Sequence, residues 1–156
     1  NIKQFKECAP NNVAFVVRTV PTLLTINYYS QLIDWCLDNN FLLNSYFAVD
    51  PSWQQIKLLP DNIKIQLQTE FQNQLDGYVA LAGTRVGLTN FRNQSQVIEN
   101  LISEVKAAIA SLTLGNQDPD LIKSSVLHFK QLDSMRGNSV IKNFPMLKEY
   151  FESNGY

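Results

Sequence analysis

The sequence predicts an α/β fold with parallel strands early in the chain and a helix-rich C-terminal part. Two short apolar segments, Val13–Val17 and Phe41–Val49, flank one amphipathic segment, which is the order of a β-α-β unit. Later regions carry apolar residues at helical spacing. With 156 residues, of which 45% are hydrophobic, the chain is long enough to bury one core. We therefore expect a single α/β domain over residues 1–156, with a helical region at about 93–156.

The first predicted element is a strand at Val13–Val17, because a nearly continuous β-branched run is typical of a strand covered on both faces. Arg18–Ile26 is expected to form a loop, and Asn27 is expected to cap the following helix. Phe41–Val49 then predicts a second strand, which Asp50-Pro51 closes. The short connections indicate a right-handed crossover and a parallel pair.

Helices are predicted in the rest of the chain. A helix begins at Asp61 and ends at Gly77, while Tyr78–Leu88 fits either an extension of that helix or a short strand. The clearest helical periodicity runs from Ser95 to Leu112. Another helix begins after Asp118 and ends at Arg136-Gly137, and a short one follows Pro145; we expect Arg136 to tie down this C-terminal segment.

Charge and composition exclude several classes of function. The formal net charge is −1, with no concentration of Lys and Arg, so we expect no nucleic-acid partner. No apolar run approaches the roughly 20 residues of a membrane helix, and no signal peptide is recognisable, so we expect no membrane association and a cytoplasmic location. Cys8 and Cys36 do not form the kind of pattern that predicts a disulfide framework.

Residues with catalytic or metal-binding chemistry are sparse. His128 is the only histidine, which leaves too few ligands for a zinc site and no patterned partner for a catalytic triad. The Gly83–Gly87 segment superficially resembles a phosphate loop but lacks the Lys and Ser or Thr that contact phosphate and magnesium, so a plain turn is favoured. The sequence therefore predicts no catalytic residue and no metal ligand.

Polar residues that follow the two predicted strands are candidates for ligand binding, because ligands of parallel sheets bind at the carboxyl ends of the strands. Arg18 and Thr19 follow the first strand, and Asp50 and Trp53 follow the second. The Trp53 ring suits either stacking on a ligand ring or packing over the rim of a barrel. Position alone supports these candidates.

Three stretches form an ordered set of motifs: VVRTVPTLLTIN leading into LIDWC at 16–36, VDP through IKLLPDNIK at 49–64, and LDSMRGNS with FP at 132–145. In order and spacing this set resembles the C-terminal half of radical S-adenosylmethionine enzymes that contain a twitch domain. The resemblance implies a partial (β/α) barrel whose upstream half holds a [4Fe–4S] cluster. It also implies that the strand ends surround the cofactor and the substrate and that Asn27 and Asp50, which match family positions, help to bind the cofactor. From their position after the strands we expect Arg18, Thr19 and Trp53 to bind the substrate.

The three-cysteine cluster loop of that family, Cys-x-x-x-Cys-x-x-Cys, does not occur in this sequence. Those thiolates hold the cluster that cleaves S-adenosylmethionine, so we expect the chain to bind no cofactor alone and to be inactive alone. The first residue is Asn1 rather than Met, and we expect a fragment whose partner is the missing N-terminal half-barrel. The alternative is a free-standing α/β module that self-associates or binds a small ligand without catalysis.

Overall fold

The computed structural model describes residues 13–84, 92–115 and 117–156, together with the single positions 4 and 8. Within the three ranges the chain forms two strands and six helices. In chain order these are β1 (Val16–Thr19), α1 (Tyr29–Asp38), β2 (Leu42–Ser45), α2 (Asp61–Thr84), α3 (Arg92–Ser111), α4 (Pro119–Arg136), α5 (Val140–Asn143) and α6 (Lys148–Ser153). Single 3-10 turns lie at Ile26–Tyr28, Ser52–Gln54, Ile56–Leu58 and Pro145–Leu147.

The predicted β-α-β order and parallel pairing are confirmed. β1 and β2 pair in parallel with Val16 opposite Leu42 and Thr19 opposite Ser45. β1 lies further along the chain than predicted, so Arg18 and Thr19 belong to the strand and not to the loop after it. Both strands are shorter than predicted, because regular pairing covers only four residues on each side. The parallel direction places the carboxyl ends of both strands at the same edge.

The prediction of a partial (β/α) barrel is wrong for the described residues. Their sheet has only two strands, in the order β1-β2, and the other regular elements are helices. The barrel was implied by the motif resemblance, and after Asp50 the residues offered only the ambiguous segment Tyr78–Leu88 as a further strand. The apolar residues after that point recur at spacings of three and four, which buries one face of a helix.

Helix α2 corrects the predicted end at Gly77. The helix continues through this glycine to Thr84, because Tyr78 still belongs to its buried face. A glycine inside a helix costs only about 1 kcal/mol relative to alanine, which the packing of a long helix readily offsets. Of the ambiguous segment Tyr78–Leu88, the first seven residues are therefore helical, and the rest lies outside the described residues. The predicted turn at Gly83–Gly87 also falls largely outside them.

Two further boundaries differ from the predictions. Asn27 lies in a 3-10 turn, and α1 begins two residues later at Tyr29, so Asn27 is not the helix cap. Ser95 lies inside α3, which begins at Arg92. Asp118 does cap α4, since its side chain accepts hydrogen bonds from the backbone N–H groups of Asp120 and Leu121.

The core lies between one face of the sheet and the long helices. α2 packs against α3, and α3 also contacts β2 and α1. Fully buried side chains at this junction include Ile33, Cys36, Phe71, Leu101 and Val105. Hydrogen bonds also join α1 to α2, for example from Gln74 and Tyr78 to the Asp34 carboxylate. Through this packing the helices hold one face of the sheet in place.

The end of α4 and the last residues are joined through Asp133. Gly137 ends the helix in the left-handed conformation, with φ of 62°, as predicted. The Asp133 carboxylate accepts hydrogen bonds from the Val140 N–H and the Tyr156 hydroxyl. Arg136 is exposed and forms no ion pair with a described residue, so the predicted tie to the C-terminal segment belongs to Asp133 instead. Among the described residues, no helix is both long and apolar enough to cross a lipid bilayer.

Candidate functional site

The loops that follow β1 and β2 meet at the end of the sheet where both strands have their carboxyl ends, which we call the carboxyl edge. The Ala48 N–H donates to the Pro21 carbonyl at 3.1 Å, and the Leu23 N–H donates to the Gln54 carbonyl at 3.0 Å. These backbone hydrogen bonds follow from the parallel pairing, because both strands leave the sheet at the same end. The five site residues predicted from the sequence lie on or next to these two loops.

Arg18 and Thr19 are neighbours on β1, and their side chains point to opposite faces of the sheet. Thr19 is half-buried opposite Ser45, and its carbonyl accepts the Tyr46 N–H at 3.0 Å. Arg18 is exposed opposite Asn44 and forms no ion pair with a described residue. The two residues therefore cannot contact one small ligand from the same face.

Asn27 is half-buried in the turn between β1 and α1. Its side-chain Oδ1 is buried and has no hydrogen-bond partner among the described residues. An unpaired buried acceptor costs about 1–3 kcal/mol, so an N–H donor supplied to this oxygen would remove a real penalty. Of the five predicted site residues, this is the one whose polar group is buried without a described partner.

Asp50 and Trp53 lie on the second loop and have different environments. Asp50 is exposed and precedes Pro51 through a cis peptide bond. The Trp53 ring stacks on His128 with a centroid distance of 3.8 Å and contacts Phe129 edge-on at 5.2 Å. The ring therefore packs on α4, and not over the rim of a barrel as the sequence alternative had it. His128, the only histidine, takes part in the same stack.

The three stretches that carry the family resemblance converge beside this edge. The first and second are joined by the bond from Leu23 to Gln54. The first and third meet where the rings of Tyr28 and Phe144 pack edge-on at 6.3 Å. The second stretch also contacts the C-terminal part of the chain, where the Tyr150 hydroxyl donates to the Leu58 carbonyl. Segments that are distant in sequence therefore form one packed unit.

A small cavity lies where the first and third stretches meet. It has a volume of about 140 Å³. Its apolar lining comes from both stretches and α4, and its polar lining includes Asp133 and Arg136; the other lining residues are Leu24, Phe129, Leu132, Asn138, Val140, Asn143 and Phe144. Ligand pockets for drug-sized molecules span about 300–1,000 Å³, so this cavity is too small for a nucleoside such as S-adenosylmethionine.

Sequence reasoning missed a polar cluster at the end of β2. The Tyr29 hydroxyl lies 2.5 Å from the Ser45 hydroxyl and donates to the Glu104 carboxylate at 3.1 Å. Burial raises the pKa of Tyr29 above its ordinary value, and the nearby Glu104 carboxylate adds to the rise. The phenol therefore stays neutral and can donate. The inward position of Tyr29 on its helix was recognisable from periodicity, but partners 16 and 75 residues away were not.

The cysteines do not fit an iron–sulfur cluster. Cys8 is exposed, whereas Cys36 is fully buried, and burial raises the pKa of its thiol to about 11. A cluster needs several accessible thiolates, which the apolar site of Cys36 disfavours. Within the described ranges, no group of three or more His, Cys, Asp or Glu side chains is arranged to hold a metal ion. The two cysteines therefore do not fit the cluster that the resemblance implies.

Comparison of the chain with protein-family models, with curated proteins and with solved structures finds no match.

Proposed function

We propose that this chain is the C-terminal region of a radical S-adenosylmethionine enzyme, in which it forms one wall of the cofactor and substrate pocket. The observation that carries this proposal is the convergence of the three motif stretches at the carboxyl edge of a parallel sheet. The hydrogen bond from the Leu23 N–H to the Gln54 carbonyl and the packing of Tyr28 on Phe144 bring them together. This edge is where α/β proteins bind their ligands.

Within this wall, the chain's own residues contribute binding and orientation. Asn27 Oδ1 accepts a hydrogen bond from an N–H group of the cofactor or substrate, which satisfies an oxygen that is otherwise buried and unpaired. Asp50, exposed on the neighbouring loop, accepts hydrogen bonds from hydroxyl or amino groups. Arg18 is exposed on β1 and points to the opposite face from Thr19, so its guanidinium suits a carboxylate of a larger partner more than one of the small ligand.

The cluster belongs to another region of the protein under this proposal. The cluster supplies the electron that cleaves S-adenosylmethionine, and the cysteines of this chain are unsuited to hold it. The small cavity beside Leu24 is also too small for the cofactor. The chain is therefore inactive alone, and the pocket is completed by the region that carries the three-cysteine loop.

The test begins with the isolated chain. After anaerobic incubation with iron and sulfide it should show no iron–sulfur absorbance, and S-adenosylmethionine should bind weakly or undetectably in calorimetry. The reading frame upstream should encode Cys-x-x-x-Cys-x-x-Cys, and the joined protein should cleave S-adenosylmethionine. A clean cluster spectrum from this chain alone, or an upstream frame without that loop, contradicts the proposal.

The joined protein also tests the role of Asn27. Asn27→Ala should raise the KM for S-adenosylmethionine by about tenfold, because one neutral hydrogen bond contributes about 1.4 kcal/mol. Gln31→Ala on the exposed face of α1 is the matched control and should leave KM unchanged. An equal KM for S-adenosylmethionine in wild type and Asn27→Ala would show that Asn27 does not bind the cofactor.

A second candidate function is a free-standing module that self-associates without catalysis. It is favoured by exposed apolar side chains near the sheet, where Tyr46 is 63% and Val49 is 75% exposed. Sedimentation of the isolated chain separates the two candidates. A stable dimer with no dependence on an upstream region supports self-association, and a monomer argues against it.

A further inference from the structure

The outer edge of β1 carries backbone hydrogen-bonding groups that β2 does not use. The Leu42 N–H donates to the Phe15 carbonyl, and the Tyr46 N–H donates to the Thr19 carbonyl. In a parallel ladder alternate residues direct both backbone groups to the same side. The groups of Val16 and Arg18 therefore point away from β2. We call this edge, with Val16, Arg18 and Val20, the open edge.

The outer edge of β2 is closed by a side chain. The Asn100 amide of α3 accepts the Leu43 N–H at 2.7 Å and donates to the Leu43 carbonyl at 2.9 Å. One amide thus takes the place of the backbone of a neighbouring strand. We call this the closed edge. The sheet can therefore grow by hydrogen bonding at β1 and not at Leu43 of β2.

We infer that the open edge binds an extended polypeptide strand from outside this chain, with apolar residues against Val16 and Val20 and an acidic residue against Arg18. The two valines are 50% and 56% exposed. The exposed guanidinium of Arg18 lies between them and forms no ion pair with a described residue. Backbone groups supply the affinity in such strand addition, and alternating side chains supply the selectivity.

A second copy of this chain does not match these requirements. Its β1 presents Val-Val-Arg-Thr and offers no carboxylate to Arg18, while its β2 edge is occupied at Leu43 by Asn100. Paired β1 strands would instead bring two arginines to one edge, and like charges close together across strands are destabilising. The complementary occupant is therefore an acidic, apolar strand of different sequence.

This inference deepens the proposed function, on which it rests for the source of the strand: the region of the enzyme that carries the cluster. The binding chemistry itself needs only the edge of β1. The two statements can therefore fail separately, because one concerns strand addition and the other concerns cleavage of S-adenosylmethionine.

The test uses the peptide acetyl-Val-Thr-Glu-Thr-Val-amide, whose first, third and fifth side chains share one face of a strand, titrated into the 156-residue chain and followed by NMR of the backbone amides. The expected shift changes are at Val16, Arg18 and Val20, with Leu43 unaffected. A matched peptide with Lys in place of Glu should bind at least about threefold more weakly at low salt. Arg18→Glu should reverse that preference, which provides a test that does not depend on a backbone change.

Val16→Pro tests the backbone part of the interaction. It removes an outward N–H and leaves the β1–β2 ladder bonds in place, so the folded spectrum should persist while binding of the Glu peptide is lost. Absence of shifts with either peptide at millimolar concentration overturns the inference. Equal binding of both peptides to wild type and Arg18→Glu overturns it as well. If the peptide binds but the upstream frame lacks the cysteine loop, only the proposed function fails.

Discussion

The two edges of this small sheet are treated differently by the rest of the molecule. At the closed edge, Asn100 satisfies both backbone groups of Leu43. Nearby, the Tyr29 hydroxyl is hydrogen-bonded to the Ser45 hydroxyl and donates to the Glu104 carboxylate. At the open edge, Val16 and Arg18 are exposed, and β1 pairs with no described strand other than β2. An unpaired edge is a template for another strand.

This contrast shows how a parallel pair with few strands is made stable. Two strands alone are marginal, and packing against helices is one way to hold them. Here α3 performs that role on one side through a side-chain amide as well as apolar contacts. The other side keeps its hydrogen-bonding capacity for a partner. The stability of the chain should therefore depend strongly on the closed edge and weakly on the open one.

The largest effect is expected from opening the closed edge. Asn100→Ala should lower the free energy of unfolding by about 2–3 kcal/mol, because it leaves the N–H and the carbonyl of Leu43 unpaired in a part-buried site. Urea denaturation measures the change. Gln96→Ala, on an exposed position of the same helix, should stay within about 0.5 kcal/mol of wild type. A decrease in the free energy of unfolding as small as that of the control would mean that water takes the place of the Asn100 amide at Leu43.

An intermediate effect is expected at the end of β2. Tyr29→Phe should cost about 1–2 kcal/mol at neutral pH, because the hydroxyl that bridges Ser45 and Glu104 is lost. The folded state raises the pKa of Tyr29 above its unfolded value of 10.0, so this stabilisation is present below pH 10 and is lost as pH rises through the folded pKa.

The pH dependence provides the control for that substitution. Tyr78 and Tyr150, whose pKa values are also raised by burial, remain in both proteins, so the difference between wild type and variant isolates Tyr29. Denaturation at a series of pH values should show the difference shrinking above pH 10. A difference that grows with alkalinity would contradict the assignment of a neutral, hydrogen-bonded phenol.

The smallest effect is expected at the open edge. Val16→Thr should change the free energy of unfolding by less than about 0.5 kcal/mol, because the side chain is half exposed and the backbone of Val16 makes no ladder bond to β2. Hydrogen exchange measured by NMR sharpens the comparison. The amides of Val16 and Arg18 should exchange much faster than that of Leu43. Similar protection at both edges would remove the distinction between them.

Local patterns predicted the order of the β-α-β unit, the cap at Asp118 and the helix stop at Gly137. They failed where packing extended an element, as at Gly77, or moved a boundary, as at Asn27. The candidate site was predicted only as a set of positions. Its grouping into one packed unit with the C-terminal segment depends on contacts such as that of Tyr28 with Phe144.

Periodicity, capping residues and composition are properties of neighbouring residues, so the chain alone was enough to indicate the parallel unit, the helical remainder and the lack of a three-cysteine loop. The number of strands in the sheet and the difference between its edges were not accessible in that way. The bond pair between Asn100 and Leu43 joins residues 57 positions apart, and no local signal specifies which backbone a distant amide will meet. That choice follows from how α3 packs on β2, which the core as a whole determines.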